Sequence, residues 1–455
     1  MKCIEDEIPF DLPEGWSWCR VHTVASVKGG KRIPKGYSVI DMPTNHAYIR
    51  VTDMKNQTVL VDDLKYITDD VFSQISAYTI SKDDLYVTIA GTIGSVGEIP
   101  DILDGMNLTE NAVKISNISI NKKYLCYVLS SEFVQKQFRY QTHQVTMAKL
   151  ALERILDTLI PVSPLKEQKQ ITERIQEANE QIEHLNESTI QIGRLINKAK
   201  SKILDLAIRG QLVPQNPTDE PASVLLDRIR AEKEELIKQG KIKRDKKESV
   251  IFKGEDNSYY EKIGSETVCI DDLLPFEIPE TWSWVRMKEV CIINPRNNVP
   301  DDTEVSFIPM PLIQEGFANA HSSKNKTWAQ VKSGFTHFRE NDVGVAKITP
   351  CFENRKSVVF HNLKNGIGAG TTELHILRPV NGVVLPEYIL AILKTGSFIA
   401  GGVQTFSSAV GQQRISKDYV AEYLVPLPPF GEQQRICDRV VQVLDMLSSI
   451  EASLS

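Results

Sequence analysis

Four short stretches of this chain have residue types that could act on nucleotides. Pro428-Pro429-Phe430 carries part of the loop with which base methyltransferases hold a flipped base, but it lacks the preceding Asn or Asp and opens a helix. Gly30-Lys31 is followed by Arg32 instead of Ser or Thr, and Gly366, Gly368 and Gly370 lack the spacing of a dinucleotide turn, so no phosphate cradle is expected. The nearest E-x-K of a metal-dependent nuclease, Glu167-Gln168-Lys169, falls on a helical repeat, where a solvated pair is the expectation. His46, His143, His321 and His375 stand isolated and read as surface or core polar residues. The seven cysteines, Cys3, Cys19, Cys126, Cys269, Cys291, Cys351 and Cys437, are scattered without a C-x-x-C pair and read as reduced packing residues. The expectation is therefore no catalytic residues, no metal and no cofactor.

A different chemistry remains: reading base edges from loops. Arg and Lys match the acceptors of guanine, Asn and Gln the donor–acceptor pair of adenine, and Thr either. In the first half the candidates are Lys31, Arg32, Arg50, Thr92 and Lys149, and in the second Lys347, Thr349, Asn354, Thr372, Gln404 and Arg414. Against them stands a formal net charge of -6, where an autonomous DNA binder would carry a basic surplus. Partner chains would then supply much of the phosphate grip.

The elements that must position these residues are written twice. PFDLPEGWSWCR (Pro9 to Arg20) returns as PFEIPETWSWVR (Pro275 to Arg286), and LIPVSPLKEQKQITERI (Leu159 to Ile175) returns as LVPLPPFGEQQRICDRV (Leu424 to Val440). Two signatures recurring in one order imply two copies of one unit. Between the signatures the copies diverge into β-branched and aromatic runs broken by turn residues, as in Asp84 to Ile99 and Gly344 to Phe360, which read as strands joined by exposed loops. Because Trp16, Trp18, Trp282 and Trp284 have identical surroundings in both copies, they read as framework instead of base-stacking platforms.

Each proline-rich exit leads into a helix with an a/d seam. In the first, the seam runs through Ile171, Ile175, Ala178, Ile182, Leu185, Thr189, Ile192, Ile196, Ala199, Ile203 and Leu206, and the helix is expected over about Leu165 to Arg209, with Gly210 as a left-handed cap. In the second it runs through Ile436, Val440, Val443, Leu447, Ile450 and Leu454. A charged helix is expected from about Ala222 to Gln239, and the basic run Lys241 to Lys247 reads as a solvated linker. The fold class is α+β: two mixed α/β modules separated by a long antiparallel two-helix coiled coil. The divisions are 1–160 and 251–425 for the modules, 161–250 for the central helical region and 426–455 for a short second spacer helix. With 455 residues, 41% hydrophobic and 25% charged, several ordinary globular domains are expected, with no bilayer-crossing run, no leader and a cytoplasmic location.

This order resembles the specificity subunits of type I restriction–modification enzymes over essentially the whole chain. Lys200 to Lys247 resembles their central conserved region, and Ala346 to Lys356 with Gly368 to Pro379 resembles a common type of target-recognition domain. The resemblance implies two target-recognition domains reading the halves of a bipartite double-stranded DNA site, with the helices fixing the spacer. It also implies two modification subunits that methylate adenine, and restriction subunits that translocate and cleave. No equivalent of Ile190 to Lys247 follows Ser455, which leaves open whether the modification subunits dock equivalently. Two rival readings are a structural adaptor whose modules bind proteins, set apart by an absence of salt-dependent DNA binding, and a self-contained enzyme, set apart by activity without added subunits.

Overall fold

The structure is a computed structural model that describes residues 5–140, 149–241, 248–380, 384–406 and 413–454. The chain divides into two compact units, Met1–Asn186 and Glu187–Ser455. Each unit contains one mixed α/β module, and the two modules share a topology.

In the first module one four-stranded sheet runs in the order Ser26–Gly29, Ala112–Ser116, Leu85–Thr88, Val96–Glu98. A second runs Lys65–Tyr66, Ala47–Ile49, Met106–Leu108, Thr79–Ile80. In the second module the corresponding orders are Cys291–Ile293, Leu374–Pro379, Val343–Ala346, Ser357–Val359 and Lys324–Thr327, Glu304–Ile308, Ile367–Gly370, Thr336–Arg339. Even the mixed pairing is kept: Met106–Leu108 is parallel to one neighbour and antiparallel to the other, and so is Ile367–Gly370. The stretches read as strands and loops, Asp84 to Ile99 and Gly344 to Phe360, are hairpins of the first-named sheets. The apolar residues of these strands fill the core of each module, with Leu85, Val87, Val113 and Ile115 in the first and Val343, Val345, Val359 and Leu377 in the second.

Opening and exit signatures pair with each other. Ser17–Arg20 lies antiparallel to Leu159–Val162 with Trp18 opposite Pro161, and Ser283–Arg286 lies antiparallel to Leu424–Leu427 with Trp284 opposite Pro426. A two-stranded ladder has only edges, so proline costs it little. Phe10 packs on Trp18 at 5.0 Å between ring centroids and Phe276 on Trp284 at 5.2 Å, so the tryptophans do serve as framework.

The long helix spans Leu165–Ile208 without a break, and Gly210 follows it at φ +68, the left-handed cap position. The charged helix is Ala222–Lys238 and the terminal helix Phe430–Ser453. Within the second unit the end of the long helix runs antiparallel to the terminal helix, since Lys200 is bonded to Glu451 at 2.6 Å while Gln215, past the helix end, reaches Glu432 at 2.5 Å.

The packing of the expected seam departs from a continuous stripe. Ile196 is buried and Ile171, Ile175, Ile203 and Leu206 are half-buried, whereas Ile182, Leu185 and Ile192 are 54%, 64% and 39% exposed. On the terminal helix Ile436 and Val440 are buried, Val443 and Leu447 half-buried, and Ile450 exposed. The reason is length: the terminal helix has 24 residues against 44 and its last turn is level with Lys200. Near the end of the long helix the most buried positions are Leu204, Ala207 and Ile208, shifted by one or two from the a/d expectation. Those residues face the second module's core as well as the terminal helix, and a 3.6-residue turn drifts against a heptad.

A three-stranded antiparallel meander, Ser249–Lys253, Tyr259–Ile263 and Glu266–Cys269, lies ahead of the second module's opening signature, where the sequence suggested no separate sheet. Arg286 ties it down, donating to both carboxylate oxygens of Glu261 at 2.9 and 2.6 Å.

Candidate nucleic-acid interface

In both modules the chain passes from the second-named sheet to the first through a three-residue crossover: Thr109-Glu110-Asn111 and Thr371-Thr372-Glu373. The first threonine caps each turn, its hydroxyl accepting from the backbone N–H of Asn111 at 3.5 Å and of Glu373 at 3.1 Å. The register makes Asn111 and Glu373 equivalent, because Ala112 opposes Thr88 as Leu374 opposes Ala346.

Most of the first-module candidates gather at this crossover. Arg32 donates from Nε to Glu110 at 2.6 Å with its side chain 80% exposed. Lys149 donates from Nζ to the Glu110 carbonyl at 3.2 Å. The Lys31 carbonyl accepts from the Tyr48 hydroxyl at 2.7 Å, and the Lys31 ammonium lies over the Tyr78 ring. Thr92 is exposed in the adjoining loop, its carbonyl accepting from the Thr88 hydroxyl. Arg50 follows Ile49, whose carbonyl accepts from the Thr109 N–H at 3.1 Å. The Arg50 guanidinium donates to Asp53 at 3.1 and 2.6 Å and to the Asp63 carbonyl at 2.7 Å, a local brace.

In the second module Lys347, Thr349, Thr372 and Arg414 gather in the same way. Arg414 donates from Nε and Nη2 to the two oxygens of Glu373 at 2.9 and 3.1 Å. Lys347 N donates to the Glu373 carbonyl at 3.0 Å, and Thr349 N to Gln413 at 3.1 Å. Thr372 is exposed. Asn354 is set apart at the tip of its loop, donating to Glu315 at 3.3 Å, and Gln404 ends the helix Gly396–Gln404 on the surface.

Electrostatically the crossovers are paired sites. The Arg414 hydrogen bond holds the Glu373 carboxyl below its ordinary value against the opposing effect of burial. For Glu110, burial pushes up and the Arg32 hydrogen bond down, with the net direction downward. Neither glutamate is among the candidates that the sequence offers, which are cations, amides and threonines.

A second set of contacts joins the frame. Trp16 donates from Nε1 to Glu167 at 2.8 Å and Trp282 to Glu432 at 2.9 Å. Gln168 and Gln433 each donate back to the exit, to Ser163 at 2.6 Å and Pro428 at 3.1 Å. The tyrosines Tyr124 and Tyr388 donate to Pro161 at 3.0 Å and Pro426 at 2.5 Å. Glu167 is thus a half-buried acceptor and not the solvated residue expected; the signal was the EQ pair standing at the same place in both exits.

Of the isolated histidines, His375 is buried against the Ile415 carbonyl at 3.2 Å, His321 accepts from the backbone N–H of His361 at 3.2 Å, and His46 stacks on Phe72 at 3.8 Å. His143 and residues 242–247 of the basic run lie outside the described residues. Among the described residues no cluster could hold a metal ion, no helix is long and apolar enough to cross a membrane, and the cysteines are unpaired.

This duplicated frame matches a known one. The family model for the type I restriction modification DNA specificity domain aligns twice, to residues 13–194 and 279–454. The chain belongs to this family. The type I restriction enzyme EcoEI specificity subunit of Escherichia coli is 43% identical over 257 residues, 56% of this chain and 40% of that one. The EcoAI specificity subunit from the same organism is 43% identical over 257 residues, 56% and 41%. The match thus spans about two fifths of the length of these curated relatives. Among solved structures, the HsdS subunit from Thermoanaerobacter tengcongensis superposes with a TM-score of 0.51 at 17% identity, covering 98% of this chain and 95% of that one. A structure from work on complex assembly and conformational transition of the type I R-M system reaches 0.55 at 16% identity, covering 98% and 94%. At such identities these likenesses establish the fold: an α+β specificity-domain chain with two repeated modules and a long connecting helix.

Proposed function

We propose that this chain is the DNA-reading subunit of a type I restriction–modification assembly and performs no catalysis itself. Each module, taken as 1–160 and 251–425, reads one half of a bipartite double-stranded site. The helical parts, 161–250 and 426–455, set the spacer. Two modification subunits would methylate adenine in the bound site and restriction subunits would add ATP-dependent translocation and cleavage, in the cytoplasm. The candidate readers are Lys31, Arg32, Arg50, Thr92 and Lys149 in one module and Lys347, Thr349, Asn354, Thr372, Gln404 and Arg414 in the other.

The observation that carries this reading is a constant frame around variable cations. Trp–Glu, Gln–carbonyl and Tyr–carbonyl contacts recur in both modules, while the crossover that both possess presents different residues in each. Direct readout needs such variation on a fixed scaffold, since different base edges need different donors. The net charge of -6 makes the grip on phosphate a task for partner chains. The test is to supply the chain with its modification subunit in a host without other methylases and map methylated adenines genome-wide. A split motif that vanishes when this chain is omitted supports the reading; methylation independent of the chain, or none, contradicts it.

A further inference from the structure

The crossover contacts single out two acidic residues on a surface whose proposed ligand is a polyanion. A carboxylate there would repel phosphate, so its presence in both modules calls for a role. One role would be to accept from the N4 amino group of cytosine. The geometry opposes that, because the acceptors are already engaged: both oxygens of Glu373 by Arg414, one oxygen of Glu110 by Arg32 at 2.6 Å and the other by the Tyr48 hydroxyl at 3.4 Å.

The second observation is how the contact varies. The framework bonds recur with the same side-chain types, Trp to Glu, and Gln and Tyr to backbone carbonyls. At the crossover, by contrast, the position three residues before the short helices Leu152–Leu156 and Lys417–Ala421 is cationic in both modules, Lys149 and Arg414, and these two are as far apart in sequence as Glu167 and Glu432. Each touches its crossover, Lys149 donating to the Glu110 carbonyl at 3.2 Å and Arg414 to the Glu373 carboxylate at 2.9 Å, and the next residues are bonded alike, Leu150 N to Ile89 O and Ile415 N to Lys347 O. The glutamate, however, stands second in one crossover and third in the other. It accordingly captures a different arginine: Arg32, from the loop after Ser26–Gly29, or Arg414. A contact kept in kind but changed in position and partner is what a specificity element would show.

We propose that Glu110 and Glu373 are positioning residues for sequence recognition, each fixing the side chain of one arginine, Arg32 or Arg414, at the base-reading edge of its module. A long arginine side chain loses considerable rotamer freedom when it binds a base. A carboxylate held on its Nε removes part of that freedom beforehand and limits which base edge the guanidinium can meet. The two glutamates are the determinants of one base position in each half-site. This rests on the proposed DNA-reading function.

The experiment uses the full chain with its modification subunits and compares methylated motifs for wild type, Glu110→Gln, Glu373→Gln, Arg32→Ala, Arg414→Ala and the two double variants within each pair. Glu110→Gln is expected to lower base preference by roughly tenfold at one position of one half-site, and Glu373→Gln at one position of the other, with both spacer and opposite half unchanged. Each glutamate change is expected to add nothing once its arginine is already alanine. A uniform fall in methylation with the motif intact, an unchanged motif, or a glutamate effect that persists in the alanine background would overturn the proposal. The side chains are partly exposed, at 24% for Glu110 and 27% for Glu373, so the variants are expected to fold, which thermal melting checks. If wild type gives no split motif the functional reading itself fails; if wild type gives one and the variants match it, only the positioning role fails.

Discussion

Trp282 donates its indole N–H to Glu432 across 2.9 Å, with the two residues 4% and 1% exposed. The bond ties the opening of the second module to the first turn of the terminal helix, so the module and its spacer element share one buried contact. Glu432→Ala is expected to leave a buried N–H without an acceptor and cost about 1–3 kcal/mol, seen as a lower melting temperature. Burial pushes the Glu432 carboxyl above its ordinary value, so Glu432→Gln, which keeps an acceptor oxygen and has no charge to bury, is expected to cost less than alanine. Equal losses for the two variants would contradict this.

The repeat was legible because such contacts demand particular types. Trp–Glu and Gln–carbonyl pairs tolerate few substitutes, so they survive in both copies as WSW and EQ. The long helix was legible through its period. The exposed run from Ile182 to Ile192 was not, since a heptad pattern records what a helix could pack against and not how far its partner extends. Glu110 and Glu373 were hidden by their one-position shift, and the brace on Arg50 by the fact that Asp53 and Asp63 look like ordinary loop acids in sequence.

Arg286 and Glu261 supply an acid-sensitive contact. The Arg286 hydrogen bond holds the Glu261 carboxyl below its ordinary value, so its stabilisation is present above the unfolded carboxylate value and lost as pH falls through the folded one. Arg286→Met strands a buried carboxylate and is expected to cost about 3–5 kcal/mol near neutrality. The difference in melting temperature between wild type and variant should narrow as pH drops; a constant difference would contradict the assignment.

Lys394 acts in the opposite direction. Its ammonium donates to the carbonyls of Gly316 at 2.7 Å and Arg355 at 2.9 Å, and burial, helped by the Arg355 charge, pushes it down to about 7. Above that value the fold releases a proton that the unfolded chain keeps, so this residue makes stability rise with pH between about 7 and the ordinary lysine value. Lys394→Met is expected to lower stability by about 1–3 kcal/mol for each carbonyl left without its donor and to flatten that rise. Melting curves from about pH 6 to about pH 9 read both effects; an unchanged slope in the variant would contradict the account.

The long helix should act as a ruler. Its 44 residues are continuous, and Ile182 and Ile192 are exposed, so one heptad inserted near Thr189 costs no described core packing. It adds roughly 10 Å, about three base-pair steps. The methylated motif is expected to keep both halves, lengthen its spacer and lose some activity, because three base pairs also turn the groove by about a third of a revolution. An unchanged spacer with full activity would show that the helix does not set the distance.

Module exchange tests the central claim most directly. The shared frame and differing crossovers predict that each module reads alone. Replacing Cys19 to Leu159 with the equivalent segment of a relative, and mapping methylated adenines in a host that also makes the modification subunit, should give a motif in which one half is new while the other half and the spacer are untouched. A motif altered in both halves, or one identical to that of the unexchanged chain, would contradict it.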